Sequence, residues 1–479
     1  MKPKHVIWIT CDHLRWDNIG AHGQTFAHTP NIDRLVNGGI SFSQCFAQSP
    51  LCMPSRASFM TGCYPYQTGV IENGVDLDPN FPNTVARCFK AAGYQTAQIG
   101  KLHFEHHEDI DLESKSRNEY GFDVFWCDEE PGCYDGPYMR WLETEHPEQI
   151  NTFRVPRPNA PARADADNRK PKVLEAPWEL SFSGWVAEQS CRYLGAWGGG
   201  RAKAKDENHF IHMGFYAPHP PLNPTRDMME PLNHMTPPKP TKRMGEYKDK
   251  VGPLAGMLER SENQGLKSDE IESYQRHFAA MVTGVDLAVG KLLRTLEDNN
   301  VLDDTLIIFG SDHGDFCGDH HLVSKGIAWY DSVARVPLVL HWPSGLKGGR
   351  TIDGLTEMVD VLPTLLELSE QTPPKTMSGK SMAEHLKEGR DDELGRQDVL
   401  SVHAPGHLML RSQNYKYLRH HQKNGEPFET LFHLANDPDE FTNVASDPSH
   451  REALDHMRAR AMQRFINASH PPKEHTYRY

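Results

Sequence analysis

The chain has 479 residues, which at roughly 100 to 200 residues per domain suits one large α/β domain and a smaller one. Hydrophobic residues make up 38% and there are 37 glycines, a composition that supports a buried core and excludes disorder over most of the length. The 51 Lys and Arg against 65 Asp and Glu give a net charge of −14, which argues against nucleic acid or an anionic membrane as the main partner.

The chain shows no export signal or membrane span. Its longest N-terminal apolar run, Val6 to Thr10, is too short for either. The nine cysteines are odd in number and contain no C-x-x-C pair, so neither a disulfide framework nor a structural zinc site is predicted. We therefore expect a cytoplasmic protein by default, or a periplasmic or secreted one if a signal has been trimmed, without membrane contact.

Short apolar strands alternate with helical stretches along the chain, which is typical of a sheet between helices. The predicted strands of the larger part cover 6–10, 41–47, 95–99, 210–216, 305–309 and 336–341. The predicted helices begin at Pro30, after a Thr29 cap, and cover 83–92, 268–296 and 359–368. Alternating apolar runs after residue 400 predict a small antiparallel sheet and a closing helix.

We predict an α/β fold, with a large mixed sheet sandwiched between helices and a small C-terminal antiparallel sheet plus helix. The larger, catalytic domain is expected over 1–385, and a smaller α+β domain over 386–479. An irregular insertion at about 105–180 is expected to shape a binding cleft, because long insertions carry function more often than packing.

Unusual polar residues lie in four loops that follow predicted strands. In open α/β sheets ligands bind beyond the carboxyl ends of the strands, so we expect these residues to converge. Two carboxylates with imidazoles suit Ca²⁺, Mg²⁺ or Mn²⁺. A single Asp at a strand end is more often a cap, so the prediction depends on the combination of Asp12-His13, Cys52 to Arg56, Lys101 with His103, and Asp312-His313.

The segment from Cys52 to Gly62 fits the pattern C-x-P-S-R-x-x-x-x-T-G and resembles the signature of the type I sulfatases, in the alkaline phosphatase superfamily. The resemblance implies that fold, hydrolysis of sulfate esters, and conversion of Cys52 to formylglycine by a maturation enzyme. It covers nearly the whole chain, through Thr29–Asp33, Gly100–His103, His219–Pro221, Ser311–Gly314, Lys325 and Arg411–Tyr417.

The resemblance also implies one divalent cation. Its implied ligands are Asp12, Asp312, His313 and the modified Cys52, and His13 either binds the ion or only faces it. His13 stands where many sulfatases have a second Asp, and His313 where many have Asn. With one carboxylate fewer, Mn²⁺ or Mg²⁺ is more credible than the usual Ca²⁺.

Three residues are implied in activating the nucleophile and holding sulfate. Arg56 lies one helical turn after Cys52, where its guanidinium can donate hydrogen bonds to hydrated formylglycine. By resemblance, His103 takes the proton of the second hydroxyl and Lys101 contacts the sulfate. Lys101 and His103 are two residues apart, so at a strand end they point the same way.

Three further residues are implied at the leaving-group side. His219 and Lys325 resemble the pair that binds the bridging side of sulfate and protonates the departing oxygen, help that an alcohol leaving group needs. Asn73 follows the signature helix and is a candidate contact to sulfate or substrate. The expected substrate is a small-molecule or saccharide sulfate ester, and the oligomeric state stays open.

Two other functions are compatible with parts of the sequence. A phosphonate monoester or phosphodiester hydrolase of the same superfamily is the nearer alternative, because the segment from Ser311 to Lys325 resembles the matching segment there. The C-x-P-S-R form of the signature favours a sulfatase. An inactive binding protein is the other alternative, which the complete set of polar positions disfavours.

Overall fold

The structure is a computed structural model, and it describes residues 2–23, 26–106, 120–155, 171–198, 207–423 and 425–470. Parts of the expected insertion, 107–119 and 156–170, lie outside the described residues. None of the described helices is long and apolar enough to cross a bilayer.

The strands are β1 His5–Cys11, β2 Ile40–Phe42, β3 Cys45–Phe46, β4 Tyr94–Gly100, β5 Val124–Cys127, β6 Asn208–Gly214, β7 Thr305–Ser311, β8 Arg335–Val336, β9 Leu338–His341, β10 Arg350–Ile352, β11 Thr356–Glu357, β12 Asp398–His403, β13 His407–Ser412, β14 Tyr415–His420 and β15 Phe428–His433. The α-helices are α1 Pro30–Gly38, α2 Cys52–Phe59, α3 Pro65–Thr68, α4 Val85–Ala91, α5 Pro137–Glu145, α6 Ile150–Phe153, α7 Phe182–Gly198, α8 Arg226–Met229, α9 Gly252–Gln264, α10 Ser268–Asp298, α11 Asp331–Ala334, α12 Val361–Leu368, α13 Ala383–Glu388 and α14 Arg451–Ser469.

The main sheet has eight strands in the order β10-β2-β9-β7-β1-β6-β4-β5. Strands β7, β1, β6, β4 and β5 run parallel, whereas β9 is antiparallel to both of its neighbours. The predicted large mixed sheet is therefore confirmed. The parallel strands bring the loops after β1, β4, β6 and β7 to one edge.

Two predicted strands are wrong in extent, because each divides between two sheets. Of the stretch 41–47, β2 belongs to the main sheet and β3 to a three-stranded sheet with β11 and β8. Of the stretch 336–341, β8 pairs with β3 and β9 with the main sheet. Pro337 lies between β8 and β9, and a proline cannot donate to a strand ladder, so the break falls there.

The sheet is buried on both faces. Along β1 the side chains alternate, with Ile7 and Ile9 in a core shared with α7 and α10, and Val6 and Trp8 in a second core shared with α4 and α12. All four are fully buried. Burial on both faces explains why β1 and β7 read as nearly continuous apolar runs rather than as alternating ones.

The C-terminal part forms the predicted antiparallel sheet, β12-β13-β14-β15, packed on α14. Hydrogen bonds and an ion pair join this C-terminal part to the larger part of the protein. The buried Glu357 accepts hydrogen bonds from the Tyr64 hydroxyl at 2.5 Å, from Arg464 of α14 at 2.7 Å and from the Leu400 N–H at 2.7 Å. Burial alone would raise the pKa of Glu357, but Arg396 and Arg464 outweigh it and lower the pKa. The boundary at 385/386 stays a prediction.

Helix α1 is held at its N-terminus by a residue of α10. The N–H groups of Asn31 and Ile32 both donate to Oδ1 of the buried Asp286 at 2.8 Å, and Asn31 Nδ2 donates to Oδ2 at 2.8 Å. The predicted cap, Thr29, stands at the right position, but its hydroxyl donates to Asp33 instead of capping. A carboxylate from a distant helix therefore satisfies the first turn of α1.

Replacing Asp286→Ala is expected to lower the free energy of unfolding by about 2 to 4 kcal/mol, because buried N–H groups lose their acceptor. Glu297→Ala is the matched control, since Glu297 joins the same two helices through an exposed pair with Arg34. Its loss is expected to stay under about 1 kcal/mol. Urea unfolding measures both, and similar values for the two variants would contradict the capping role.

Candidate active site

Four chain segments place their polar side chains together at the carboxyl edge of the main sheet. Asp12 follows β1, Lys101 follows β4, Asp312 and His313 follow β7, and Cys52 begins α2. Lys101 N–H donates to the Gly214 carbonyl at 2.8 Å, and a side chain at Gly214 would overlap the Lys101 carbonyl. Glycine at the end of β6 therefore permits the close approach that positions Lys101.

Cys52 lies at the centre of this group and is buried. Its thiol donates to Asp12 Oδ1 at 3.4 Å, lies 3.2 Å from His313 Nε2, and receives a hydrogen bond from Lys325 Nζ at 2.5 Å. Burial, with Asp12 beside it, raises the pKa of Cys52 to about 12 despite Lys325. The unmodified thiol is thus protonated at neutral pH and is a poor nucleophile.

The two aspartates are paired with two buried cations. Lys101 Nζ lies 2.8 Å from Asp12 Oδ2, and Arg56 Nε donates to Asp312 Oδ2 at 2.7 Å. The Arg56 guanidinium also lies 3.6 Å from Asp12. Burial would raise the pKa of Asp12, but the cations outweigh it and hold the pKa well below its usual range. Asp12 is therefore ionised.

Four of the predicted metal ligands form a compact buried cluster. Asp12, His13, Cys52 and His313 each offer one ligand atom, and these atoms lie within 4.8 Å of one another. Within the described part of the chain, Nε2 of His13 is buried without a hydrogen-bond partner. Oxygen, nitrogen and sulfur donors around an unsatisfied nitrogen fit a divalent cation.

The fifth predicted ligand, Asp312, borders the cluster. Its Oδ1 lies 3.8 Å from His313 Nε2 and accepts the N–H groups of His313 at 2.9 Å and His13 at 3.3 Å. The ring of His313 is itself oriented, because Nδ1 lies 2.9 Å from the Gly314 carbonyl and so leaves Nε2 facing Cys52. Metal ligation by these residues stays a prediction.

His219 covers one side of the cluster and is half-buried. Its ring lies edge-on to His13, with 4.4 Å between the ring centroids, and 4.6 Å from the ring of Tyr216. Nδ1 donates to the Pro220 carbonyl, so Nε2 is the nitrogen left for a ligand. Burial lowers the pKa of His219, while Asp12 acts in the opposite direction.

Three other predicted residues occupy different positions around Cys52. The exposed Asn73 accepts the Met53 N–H at 3.1 Å and so lies at the N-terminus of α2. Arg56 binds the two aspartates and the Lys101 carbonyl. The buried His103 donates its N–H to Glu129 at 2.8 Å, and it is absent from the hydrogen-bond partners of Cys52 within the described residues.

Sequence reasoning missed three residues of the site. Ser55 donates to the Asp312 carbonyl at 2.6 Å, which ties α2 to the end of β7. The face of the Tyr216 ring contacts Lys101, with 4.7 Å between Nζ and the ring centroid. Asp315 lies 2.8 Å from Nδ1 of His13. Two of them carried a usable signal, since Ser55 is the serine of the C-x-P-S-R pattern and Asp315 directly follows Gly314.

Comparisons with known proteins agree with this site. Residues 4–371 match the family model described as Sulfatase, and residues 318–467 match one described as N-sulphoglucosamine sulphohydrolase, C-terminal. An arylsulfatase of Clostridium perfringens is 26% identical in an alignment 493 residues long, and the alignment covers 96% of this chain and 93% of the relative. An N-acetylglucosamine-6-O-sulfatase of Bacteroides thetaiotaomicron is 26% identical over 478 residues, which cover 92% and 82%.

A solved phosphonate monoester hydrolase of Agrobacterium radiobacter superposes with a TM-score of 0.79 at 23% identity, covering 98% of this chain and 96% of that one. The chain thus shares its fold with that hydrolase. The chain belongs to the sulfatase family, within the alkaline phosphatase superfamily, and is a sulfuric ester hydrolase.

Replacing Arg56→Met is expected to destabilise the metal-free protein by about 3 to 5 kcal/mol, because Asp312 loses its buried cation. Urea unfolding in the presence of EDTA measures this loss. Added Mn²⁺ should restore part of the stability, since it supplies positive charge between the same carboxylates.

Arg192→Met is the control, because the ion pairs of Arg192 within the described residues, with Glu145 and Glu188, are at least partly exposed to solvent. We expect a loss below about 1 kcal/mol for this variant, with no response to Mn²⁺ beyond that of the parent. If Arg56→Met were as mild as Arg192→Met, the structural role assigned to the buried pair would be wrong.

Proposed function

We propose that this enzyme hydrolyses sulfate esters through a formylglycine formed from Cys52, together with one divalent cation. The observation that carries the proposal is the position of Cys52, buried at the start of α2 within the full signature and contacted by Asp12, His313 and Lys325. The proposed ligands of the cation are Asp12, His13, the modified residue 52, Asp312 and His313. Conversion of Cys52 requires a formylglycine-generating enzyme in the same cell.

The reaction has two covalent steps. The hydrated aldehyde carries two hydroxyls, and one of them attacks sulfur while the S–O bond to the alcohol breaks. The second hydroxyl then loses its proton, the aldehyde C=O forms again, and the bond from carbon to the sulfate oxygen breaks. Water restores the hydrate. When bound, the divalent cation supplies positive charge that favours the deprotonated hydroxyl and neutralises sulfate oxygens.

Side chains of this site suit the proton transfers. Lys325 reaches residue 52, and His219 lies against the ring of His13 with its Nδ1, but not its Nε2, engaged by Pro220, so this pair is proposed to protonate the leaving oxygen. Lys101 is proposed to contact the sulfate. His103 is proposed to take the proton of the second hydroxyl, which requires its ring to approach residue 52 once substrate is bound.

The donor set favours Mn²⁺ or Mg²⁺ over Ca²⁺. Two imidazoles stand in the cluster with Asp12, and Ca²⁺ prefers a shell built from oxygen. Between the two favoured ions, imidazole ligands suit Mn²⁺ better, because Mg²⁺ is the harder cation.

The proposed substrate is a sulfated carbohydrate or another organic sulfate. Support comes from the relatives named for arylsulfate and N-acetylglucosamine-6-O-sulfate hydrolysis. A phosphonate monoester or phosphodiester is the second candidate, because the solved phosphonate monoester hydrolase shares the fold over almost all of its length.

Purified enzyme given an aryl sulfate, a phosphonate monoester and a phosphodiester, all with the same leaving group, ranks the two candidates. We expect the highest kcat/KM for the sulfate. A higher kcat/KM for either phosphorus ester would replace the sulfatase proposal with the second candidate.

The peptide that contains residue 52 is expected to be lighter by about 18 Da than its sequence requires, as conversion of a thiol to an aldehyde demands. Cys52→Ala should fold normally and lose activity by several orders of magnitude. Cys88→Ala is the control, because that half-buried cysteine belongs to α4, outside the site. Activity of Cys52→Ala within tenfold of the parent would exclude the proposed nucleophile.

His219→Ala is expected to slow alkyl or sugar sulfates far more than nitrophenyl sulfate, because only a poor leaving group depends on the proton. The first chemical step should be followed under single-turnover conditions, so that product release does not mask it. His234→Ala, at an exposed position, serves as the control. Equal losses for both kinds of substrate would mean that His219 only positions the sulfate.

A further inference from the structure

Asp315 is fully buried next to the cluster of predicted metal ligands, and its carboxylate has four hydrogen-bond partners among the described residues. Oδ2 lies 2.8 Å from Nδ1 of His13 and accepts the hydroxyl of Tyr274, from α10, at 2.8 Å. Oδ1 accepts the N–H groups of Cys317 at 2.8 Å and Ser324 at 3.0 Å. Four donors on two oxygens fix the plane of this carboxylate.

The contact with Asp315 determines which nitrogen of His13 faces the cluster. A carboxylate only accepts, so Nδ1 carries the proton and Nε2 keeps its lone pair. That Nε2 is buried, has no hydrogen-bond partner in the described part of the chain, and lies 3.8 Å from Asp12 Oδ1. The ring is therefore oriented as a ligand rather than as a packed core histidine.

The backbone of His13 gives a second, independent indication. His13 has φ of 73° in a fully buried position, a left-handed conformation that is costly for a residue other than glycine. It is held there by the N–H of His13 donating to Asp312 and by the ring contact to Asp315. Surroundings that maintain such a conformation commonly do so at functional sites.

We propose that Asp315 is a positioning residue that presents Nε2 of His13 to the divalent cation as a ligand. The inference rests on the proposed function in assuming a divalent cation at this cluster. A carboxylate hydrogen-bonded to the far nitrogen of a metal-binding imidazole orients the ring and raises its basicity. Residue 13 itself is an uncharged imidazole in this arrangement. The negative charge of Asp315 lies on the opposite side of its ring from the cluster.

The first test uses the protein without substitutions, loaded with Mn²⁺. Pulsed EPR then counts the imidazoles that coordinate the ion from their ¹⁴N couplings. We expect two imidazoles in the parent and one in His13→Ala. An ion with one imidazole in the parent would overturn the inference and leave the proposed function intact. A parent that hydrolyses sulfate esters without any bound ion would overturn both the metal part of that function and the inference.

The second test measures the Mn²⁺ dissociation constant by competition with a chelator, in samples whose content of modified residue 52 has been matched by mass spectrometry. Asp315→Asn is expected to weaken Mn²⁺ binding by about 10- to 100-fold. Tyr274→Phe, which removes one donor to Asp315, should weaken it less and guards against a folding defect in the first variant. Asp319→Asn is the control, since this acidic residue of the same loop binds Arg15 and the Thr241 N–H instead of His13.

The double variant Asp315→Asn with His13→Ala separates positioning from a general loosening of the loop. Asp315 also accepts the N–H of Ser324, the residue before Lys325. Loosening of this loop would therefore weaken Mn²⁺ binding even in a protein without the His13 ring. If Asp315 acts through His13, the double variant binds Mn²⁺ as tightly as His13→Ala does. A further tenfold weakening in the double variant, or parent-like binding by Asp315→Asn and Tyr274→Phe, would overturn the inference.

Discussion

At the carboxyl edge of the main sheet, two buried carboxylates are each paired with a buried cation. Asp12 is paired with Lys101, and Asp312 with Arg56, in an interior where an unpaired charge costs several kcal/mol. The pairs join β1, β4, β7 and α2, elements that are distant in sequence. Because each partner needs the other, the loops that carry the chemistry are fixed relative to one another by electrostatics as well as by the sheet.

This pairing also sets the charge that a ligand meets. The carboxylates of Asp12 and Asp312 are balanced by Arg56 and Lys101, and Lys325 adds one further cation beside residue 52. A bound divalent cation makes the site more positive still, which suits an anionic ester. Sulfate esters and phosphonate monoesters both carry negative charge, so discrimination between them depends on the reacting group and its leaving oxygen rather than on attraction alone.

Much of the fold and part of the site were predictable from the sequence, because the patterns that indicate them lie within single short segments of the chain. Apolar runs indicated β1, β6 and β7, and helical periodicity indicated α10 almost to its ends. Strand ends indicated where Asp12 and Asp312 lie. The division of β8 from β9 had a local signal in Pro337 that the apolar run concealed.

The contacts that sequence reasoning missed are long-range. Asp286 caps a helix that lies about 255 residues earlier, and Asp315 combines donors from the loop after β1, from α10 and from its own loop. Neither pattern leaves a spacing in the sequence, because the partners are brought together only by packing. His13 illustrates the difference: its position was predicted, whereas the nitrogen that faces the cluster depends on Asp315.

The contact of Arg464 with Glu357 and Tyr64 crosses the predicted domain boundary, and the two family matches overlap over 318–371. Arg464 lies 107 residues after Glu357 and 400 residues after Tyr64, so during synthesis these two residues lack this partner until α14 has been made. Cys52, twelve residues before Tyr64, is buried in the finished fold. The side chains that surround it, Asp12, His313 and Lys325, all precede α14, so the surroundings of Cys52 are synthesised before the helix that ties the C-terminal sheet to the larger part.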